Sequence, residues 1–575
     1  MVAYDRVETD VLVMGMGGAG LRAALEIVSR NLKVVLVSKS LLGKAHTVMA
    51  EGGIAAAVAN VDSKDSWQVH FSDTVAEGVY IGDYRMAEIL AKEAPERVYE
   101  LERYGALFDR TPDGKIMQRA FGGHTYRRLC HVGDKTGLEM IRTLEDRVLH
   151  TGNAKLLDET VITKLLACNG SVCGAVGFSL RTGKFIVFEC KAIIVATGGL
   201  GRIYKVSSNS HETTGDGIAM AFEAGAELRD MEMVQFHPTG MVYPPGVRGL
   251  LVTEGVRGEG GLLFNTKGER FMLRYSPEKK ELDARDVVAR AIYHEIQNGN
   301  GTEHGGVYLD ITKKGAAFIR KKLPGMYEQF KEFAGVDITK EKMEVAPTVH
   351  YFMGGIRVEP ETARTNVNGL FAVGEAAAGL HGANRLGGNS LADILVFGRR
   401  AGISAATYAA TSVAPKLDYR EAEAEISRIN SFIDEAGRGS TNPYEIIDEL
   451  RDTMSSKVGI IRNGKDLNSA LQTITVLKER AKSVTVKGGV RFNQGLLGCI
   501  EMEKMLLVAE CVVRSAIYRK ESRGAHTRSD FPNKLKEWKL NIICARNGSK
   551  IDLSTVPVPE MPEELNALVK PEVYA

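Results

Sequence analysis

Apolar residues fall in short strand-length runs near the start of the chain and in helix-spaced stripes near its end. Residues 9–14 form an almost continuous apolar run, 19–30 carry helical periodicity, and 33–37 are apolar again, which predicts one βαβ unit. Lys191-Ala-Ile-Ile-Val-Ala-Thr197-Gly198-Gly199 and Asn368-Gly-Leu-Phe-Ala-Val-Gly374-Glu375 predict two further strands that end in glycine turns and close the same fold. The distance between them implies an insertion, from about residue 241 to 350, that begins and ends with polar, histidine-containing loops. An insertion hinged at both ends over such a domain reads as a lid. Beyond about residue 415 the pattern predicts helices over 420–435, 443–455, 467–482 and 501–520. In the last of these Met505, Val508, Val512 and Ala516 recur at helical spacing and make a core face. From Trp538 onward Pro557, Pro559 and Pro562 suggest an extended arm, and no internal repeat is present.

Composition narrows the class without choosing a function. A chain of 575 residues is too long for one core, so roughly two to four domains are expected. Apolar content of 44% and charged content of 25% are ordinary for a globular protein. A net charge of +2 gives no reason to expect nucleic acid or an anionic membrane as the main partner. No apolar run reaches the length of about 18 residues that a membrane span needs, and the first residues carry no leader pattern, so a cytoplasmic location is expected. Seven scattered cysteines without a C-x-x-C pair make a poor disulfide framework and a poor iron–sulfur site. They read as buried structural thiols, and electrons must leave through another protein or a diffusible acceptor.

The first βαβ unit carries Gly15, Gly17 and Gly20 at its strand-to-helix junction, the context a G-x-G-x-x-G dinucleotide fingerprint requires. The first glycine permits the turn, the second lets backbone approach a pyrophosphate, and the helix N-terminus supplies amide donors. The second strand ends in Ser38-Lys39 where an acidic ribose ligand is usual, so nicotinamide specificity does not follow. About one βαβ unit later, Gly43-Lys-Ala-His46-Thr47-Val-Met-Ala-Glu51-Gly52-Gly53 puts a histidine in a small-residue loop close to the expected position of the reactive ring. Together these suggest a flavoprotein with its flavin bonded to His46, and a redox enzyme. Glu375, at the end of a later strand, could hold the ribityl chain.

Five polar segments contain the remaining candidates: Gln235-Phe-His237-Pro-Thr-Gly, Thr253-Glu254-Gly-Val-Arg257, Arg285-Asp286-Val-Val-Ala-Arg290, His350-Tyr-Phe-Met-Gly-Gly, and His381-Gly-Ala-Asn-Arg385-Leu-Gly-Gly-Asn-Ser390. Each places cations or donors in or beside polar, mostly Gly-rich loops. A substrate with two carboxylates needs that set: Arg385 can clamp one carboxylate bidentately, and His237, Thr253 and His350 can bind the other.

With these runs, and with Gln118-Arg-Ala-Phe121-Gly-Gly-His and Glu521-Ser-Arg-Gly-Ala-His-Thr-Arg, the chain resembles the flavoprotein subunits of succinate dehydrogenase and fumarate reductase over nearly its whole length. The resemblance implies an α/β fold: a Rossmann-like FAD-binding domain over 1–240 and 353–415 with an inserted α+β capping domain over 241–352. A helical domain over 416–537 and a C-terminal extension over 538–575 complete it. It implies FAD attached through its 8α-methyl group to His46, and adds Ser38, Thr47, Gly52, Gly53, Asp216 and Ser390 to the cofactor-binding residues. It makes Arg285 the proton donor, linked to solvent through Glu254 and Arg257, and implies an iron–sulfur partner subunit, with or without membrane-anchor subunits that hold the complex at the inner face of the membrane. Similar wording in archaeal forms keeps a soluble, thiol-driven fumarate reductase open. L-aspartate oxidase shares many loops, but it carries a carboxylate where this chain has Phe121. A non-catalytic flavin carrier would lack Arg285, Arg385 or His350, and all three are present.

Overall fold

The computed structural model describes residues 3–413, 416–434 and 442–574. Its centre is a five-stranded parallel sheet in the order Leu370–Ala372, Ala192–Val195, Val11–Met14, Val34–Val37 and Ala154–Leu157. Leu12, Met14, Val35, Val37, Ile193 and Val195 face one apolar core, and Val11, Val13, Val34, Leu36, Ala192 and Ile194 face another. Burial on both faces explains why these strands read as continuous apolar runs and not as alternation. The helix Gly18–Val28 follows the first strand, as the periodicity predicts. The long helix Asn389–Thr411 lies against it, and a Cβ at Gly402 would stand 2.4 Å from the Ala23 carbonyl oxygen.

Between the Ala154–Leu157 and Ala192–Val195 strands, residues 160–189 form a sheet that the apolar pattern does not predict. Thr160–Cys168, Ser171–Ser179 and Phe185–Glu189 pair antiparallel in sequence order, and Tyr4–Glu8 adds alongside in parallel. The insertion has its own apolar core, built around Met241, Val256, Leu263, Val288, Ile292, Leu309 and Val345. Its flanks are strands and not the expected loops: Val234–Met241 pairs antiparallel with Met343–Phe352. The register breaks between His237 and Gly240, which accommodates Pro238, a residue that cannot donate to a ladder.

The helical region contains Tyr419–Ser431, Pro443–Lys457, Gly464–Ala481 and Gln494–Tyr518. The expected end of the first of these, at Glu435, lies outside the described residues, as does residue 415 at the expected domain boundary. The last helix starts earlier than predicted because the Asn493 side chain caps it, accepting from the Leu496 amide. Met505, Val508, Val512 and Ala516 are all fully buried, as their spacing predicts. The expected C-terminal arm is instead a hairpin, Leu540–Asn547 with Lys550–Pro557, whose turn contains Gly548 at φ 60°. Asn-Gly is a strong hairpin signal, and the hairpin joins a sheet with Leu228–Arg229, Gly355–Arg357 and Ala377–Ala378. Of the seven free cysteines six are buried, and Cys168 is half-buried.

A buried ion network ties the end of the helical region to the sheet. Arg519 reaches Glu232 at 2.6 Å, Glu521 at 3.1 Å and Asp230 at 3.4 Å, while Arg523 reaches Glu521 at 2.7 Å. Removing one partner of such a cluster leaves charges uncompensated out of water, at a cost of about 3–5 kcal/mol. Arg519→Met should therefore lower the thermal unfolding midpoint markedly. An unchanged midpoint would show that the network adds nothing to stability.

Candidate active site

One continuous cavity runs from the glycine turn of the first strand to the base of the inserted unit. All the candidate catalytic, substrate-binding and cofactor-binding residues line it except Gly20 and Arg257. At one end the backbone itself forms the wall. Gly15 has φ 110°, and a Cβ there would meet the Ala196 carbonyl oxygen at 2.2 Å; a Cβ at Gly20 would lie 1.9 Å from the Gly15 carbonyl oxygen. Gly20 therefore serves the close packing of helix on turn. Gly17 caps the helix Gly18–Val28 with no side-chain acceptor and no acid in the first turn, and the Thr47 hydroxyl accepts from the Gly18 amide at 3.3 Å. A helix N-terminus left open to a cavity suits a diphosphate.

Ser38 and Asp216 also border this end. Lys39, beside Ser38, donates to Asp216 at 2.6 Å, Glu501 at 2.7 Å and the Thr214 hydroxyl at 2.8 Å, so it links the helical region to the cavity wall. Glu375 accepts from the Phe352 amide at 3.0 Å. Burial pushes its pKa up to about 7.

His46 sits in a short 3₁₀ turn, His46–Met49. Its Nδ1 accepts from the Ser210 amide at 3.2 Å, and the Asn209 side-chain amide lies 3.2 Å from Nε2. Burial, then Arg202, lowers its pKa to about 4, which keeps the imidazole neutral. Gly52 and Gly53 follow in the same segment. A Cβ at Gly52 or Gly387 would lie within 2.8 or 2.9 Å of the Phe121 ring, so Phe121 is wedged between the two glycines.

At the other end, paired strands and two helix starts converge. Val234–Met241 supplies Gln235 and His237, and its partner strand supplies His350, with the two imidazole centroids 5.1 Å apart. His350 Nδ1 is 2.8 Å from the Ser208 hydroxyl. Burial holds both histidines well below their ordinary pKa, with Arg285 first among the charges acting on His237 and His237 first among those acting on His350. Thr253 is buried and accepts from the Gly255 amide at 3.3 Å.

Arg285 begins the helix Arg285–Glu295. Its Nε donates to Glu254 at 2.9 Å and its Nη1 donates to Gln235 at 3.2 Å. The other Glu254 oxygen accepts from the Gly122 amide at 2.7 Å, and Arg257 lies 3.8 Å away. Burial raises the pKa of Glu254, but Arg285 and Arg257 outweigh it and keep the carboxylate ionised. Arg257 is behind the wall, donating to the Glu281 carbonyl at 2.5 Å.

Arg385 is buried, stacked 4.4 Å over the Tyr351 ring, and donates to the Ser390 hydroxyl at 3.0 Å. Its Nε has no partner and, among the described residues, no carboxylate pairs with it. Burial, then Arg285, lowers its pKa to about 9. Glu51, to which the sequence motifs assign no role, also lines the cavity; burial, then Asp134, raises its pKa well above the usual carboxylate range. At this end, therefore, Arg285 and Arg385 line the cavity and Arg257 stands behind it, with Glu254 the carboxylate ion-paired among them. A desolvated cationic excess of this kind fits a dianion.

Residues 10–391 match the model of an FAD binding domain, and residues 447–571 match that of a fumarate reductase flavoprotein C-terminal region. The chain is 51% identical to a CoM/CoB fumarate reductase chain of Methanothermobacter marburgensis, covering 94% of this chain and 97% of that protein. It is 40% identical to the succinate dehydrogenase flavoprotein subunit of Coxiella burnetii, covering 94% of each. Among solved structures it resembles Mycobacterium smegmatis Sdh1 (TM-score 0.87, 51% identity, 97% of this chain and 95% of that chain). It also resembles E. coli quinol fumarate reductase FrdA (TM-score 0.91, 37% identity, 97% and 98%). The chain belongs to the flavoprotein subunits of succinate dehydrogenase and fumarate reductase, a family of FAD-dependent oxidoreductases.

Proposed function

We propose that this protein interconverts succinate and fumarate. The observation that carries the reading is the buried, unpaired Arg385 facing the Arg285–Glu254 pair across one cavity. Arg385 binds one substrate carboxylate in a bidentate fork, and His237, Thr253 and His350 bind the other. The open helix N-terminus at Gly17 and Gly18 would hold the FAD diphosphate, and Asp216, Glu375 and Ser390, which line the same cavity, would hold the rest of it. Bound FAD supplies hydride chemistry at the carbon next to the one that exchanges a proton. Arg285 delivers that proton in fumarate reduction and takes it in succinate oxidation. A guanidinium does not ordinarily deprotonate, so the transfer is a relay: as Arg285 gives its proton to the substrate carbon, Glu254, in contact at 2.9 Å, returns one to it. Closure of the inserted unit over the cavity excludes water from these charges.

Neutral His46 suits covalent attachment of the flavin, which raises its potential for the oxidation of unactivated methylenes. Phe121, packed on Gly52 and Gly387, leaves an apolar surface where an amine-binding carboxylate would be needed, and this favours an unsubstituted dicarboxylate over L-aspartate. Among the described residues no helix is long and apolar enough to cross a membrane. Electrons pass through an iron–sulfur partner, and any hold on the cell membrane comes through partners. The 51% identity to a CoM/CoB fumarate reductase supports a second reading in which thiols are the electron source. The equal identity to an Sdh1 solved with UQ1 supports a quinone.

Two substitutions test this account. Arg285→Lys keeps a cation but loses the planar fork that reaches Glu254 and Gln235 together. Turnover of fumarate with an artificial donor should fall about 10²- to 10⁴-fold, while its KM changes little. Near-normal turnover at saturation would reduce Arg285 to a charge neighbour. His46→Ser should leave FAD bound but extractable by acid, with fumarate reduction retained better than succinate oxidation. Wild-type protein that releases all its flavin on acid precipitation would overturn the covalent assignment.

A further inference from the structure

The helix Trp67–Glu77 ends in an acid. A carboxylate there meets the negative end of the helix dipole. It also faces the acids Asp286 and Glu254, and the cations Lys279 and Arg285 do not outweigh them. Asp73 lies one turn back on the same helix, where it is taken up by Arg128 at 2.8 Å, and Asp286 is paired with Arg290 at 2.7 Å. No ion pair neutralises Glu77 among the described residues. Its partner is an amide: Asn384 Nδ2 donates to Glu77 Oε1 at 2.8 Å and to Asp286 Oδ1 at 3.1 Å.

Asn384 is buried beside Arg385, and its Oδ1 accepts from Gln235 Nε2 at 2.7 Å. Gln235 Nε2 also donates to the Arg385 carbonyl at 2.9 Å, and Gln235 Oε1 accepts from Arg285 Nη1 at 3.2 Å. A continuous chain of directional bonds thus runs from Glu77 through two amides to the guanidinium edge that Glu254 does not hold. We propose that Glu77 is a positioning residue for Arg285, anchoring the Asn384–Gln235 chain that sets the guanidinium's orientation toward the substrate. The proposal rests on the succinate–fumarate reading of the site.

The same surroundings give this anchor a pH response. Burial, then Asp286 and Glu254, push the pKa of Glu77 up to about 8, so at neutral pH it is an uncharged acid. As pH rises through that value it becomes an anion near Arg285. The bond from Asn384 then becomes charge-assisted and pulls on the chain that orients the guanidinium. Fumarate reduction should therefore lose rate on the basic side.

The test uses the FAD-loaded protein with its natural flavin and an artificial electron donor, with kcat and KM for fumarate followed from about pH 6 to pH 10, a span that brackets the raised carboxyl. Wild type should show a basic limb near pH 8. Glu77→Ala should lower kcat about ten- to a hundredfold, with KM nearly constant, because Arg285 is misoriented and not lost. Glu77→Gln, which can still accept from Asn384, should recover most of that loss and show no limb near pH 8. In infrared difference spectra, wild type minus Glu77→Gln should contain a protonated-carboxyl band that disappears as pH rises through about 8. A limb that persists in Glu77→Gln, an unaltered kcat in Glu77→Ala, or the absence of that band overturns the role of Glu77. Wild type that does not reduce fumarate at any pH overturns the parent reading, and this inference falls with it.

Discussion

A carboxylate removed from water stays ionised only where cations hold it, and Glu254 has Arg285 at 2.9 Å and Arg257 at 3.8 Å. Much of the site follows from this arrangement. Glu254 fixes Arg285 from one side and accepts the Gly122 amide on the other, so it also orients the loop that carries Phe121. The remaining positive charge, on Arg385 above all, has no carboxylate partner among the described residues, and the Arg385 Nε has no hydrogen bond at all. Electrostatic groups fixed in place before the substrate arrives need no reorganisation during the reaction.

The fold places these groups by bringing distant segments to one edge. The parallel sheet supplies the glycine turn, and the long helix starting at Asn389 delivers the Arg385 loop to the same cavity. The inserted unit contributes through the pair of strands on which His237 and His350 stand, and through the first residue of the helix Arg285–Glu295. Lys39, held by Asp216 and Glu501, ties the helical region to the glycine-turn end of the cavity. No one of these elements contains a complete binding site.

Much of this is legible in the sequence because the chemistry lies in short local motifs. The glycine turn, the His46 loop and the segments around His237, Thr253, Arg285, His350 and Arg385 each announce their donors within about ten residues, and the cavity collects them. What is not legible depends on pairing at a distance. Pro238 and Gly240 make the His237 segment read as a loop, whereas a break in strand register accommodates them. The sheet over residues 160–189 gives no clear signal, and the prolines after Trp538 obscure a hairpin that Asn547-Gly548 marks. Gly20 and Arg257 belong to the site by motif, but they act behind its wall. Glu77 carries no signal, since its importance comes only from facing Asn384 across the fold.

The claim that the cavity is built for an unsubstituted dianion is tested most directly by substrate choice. Purified, FAD-loaded protein should be supplied with a reduced viologen and fumarate, and separately with L-aspartate and oxygen. The account predicts saturable fumarate reduction that malonate inhibits competitively, with no oxidation of L-aspartate. Turnover of L-aspartate with peroxide formation, alongside inert fumarate, would contradict it.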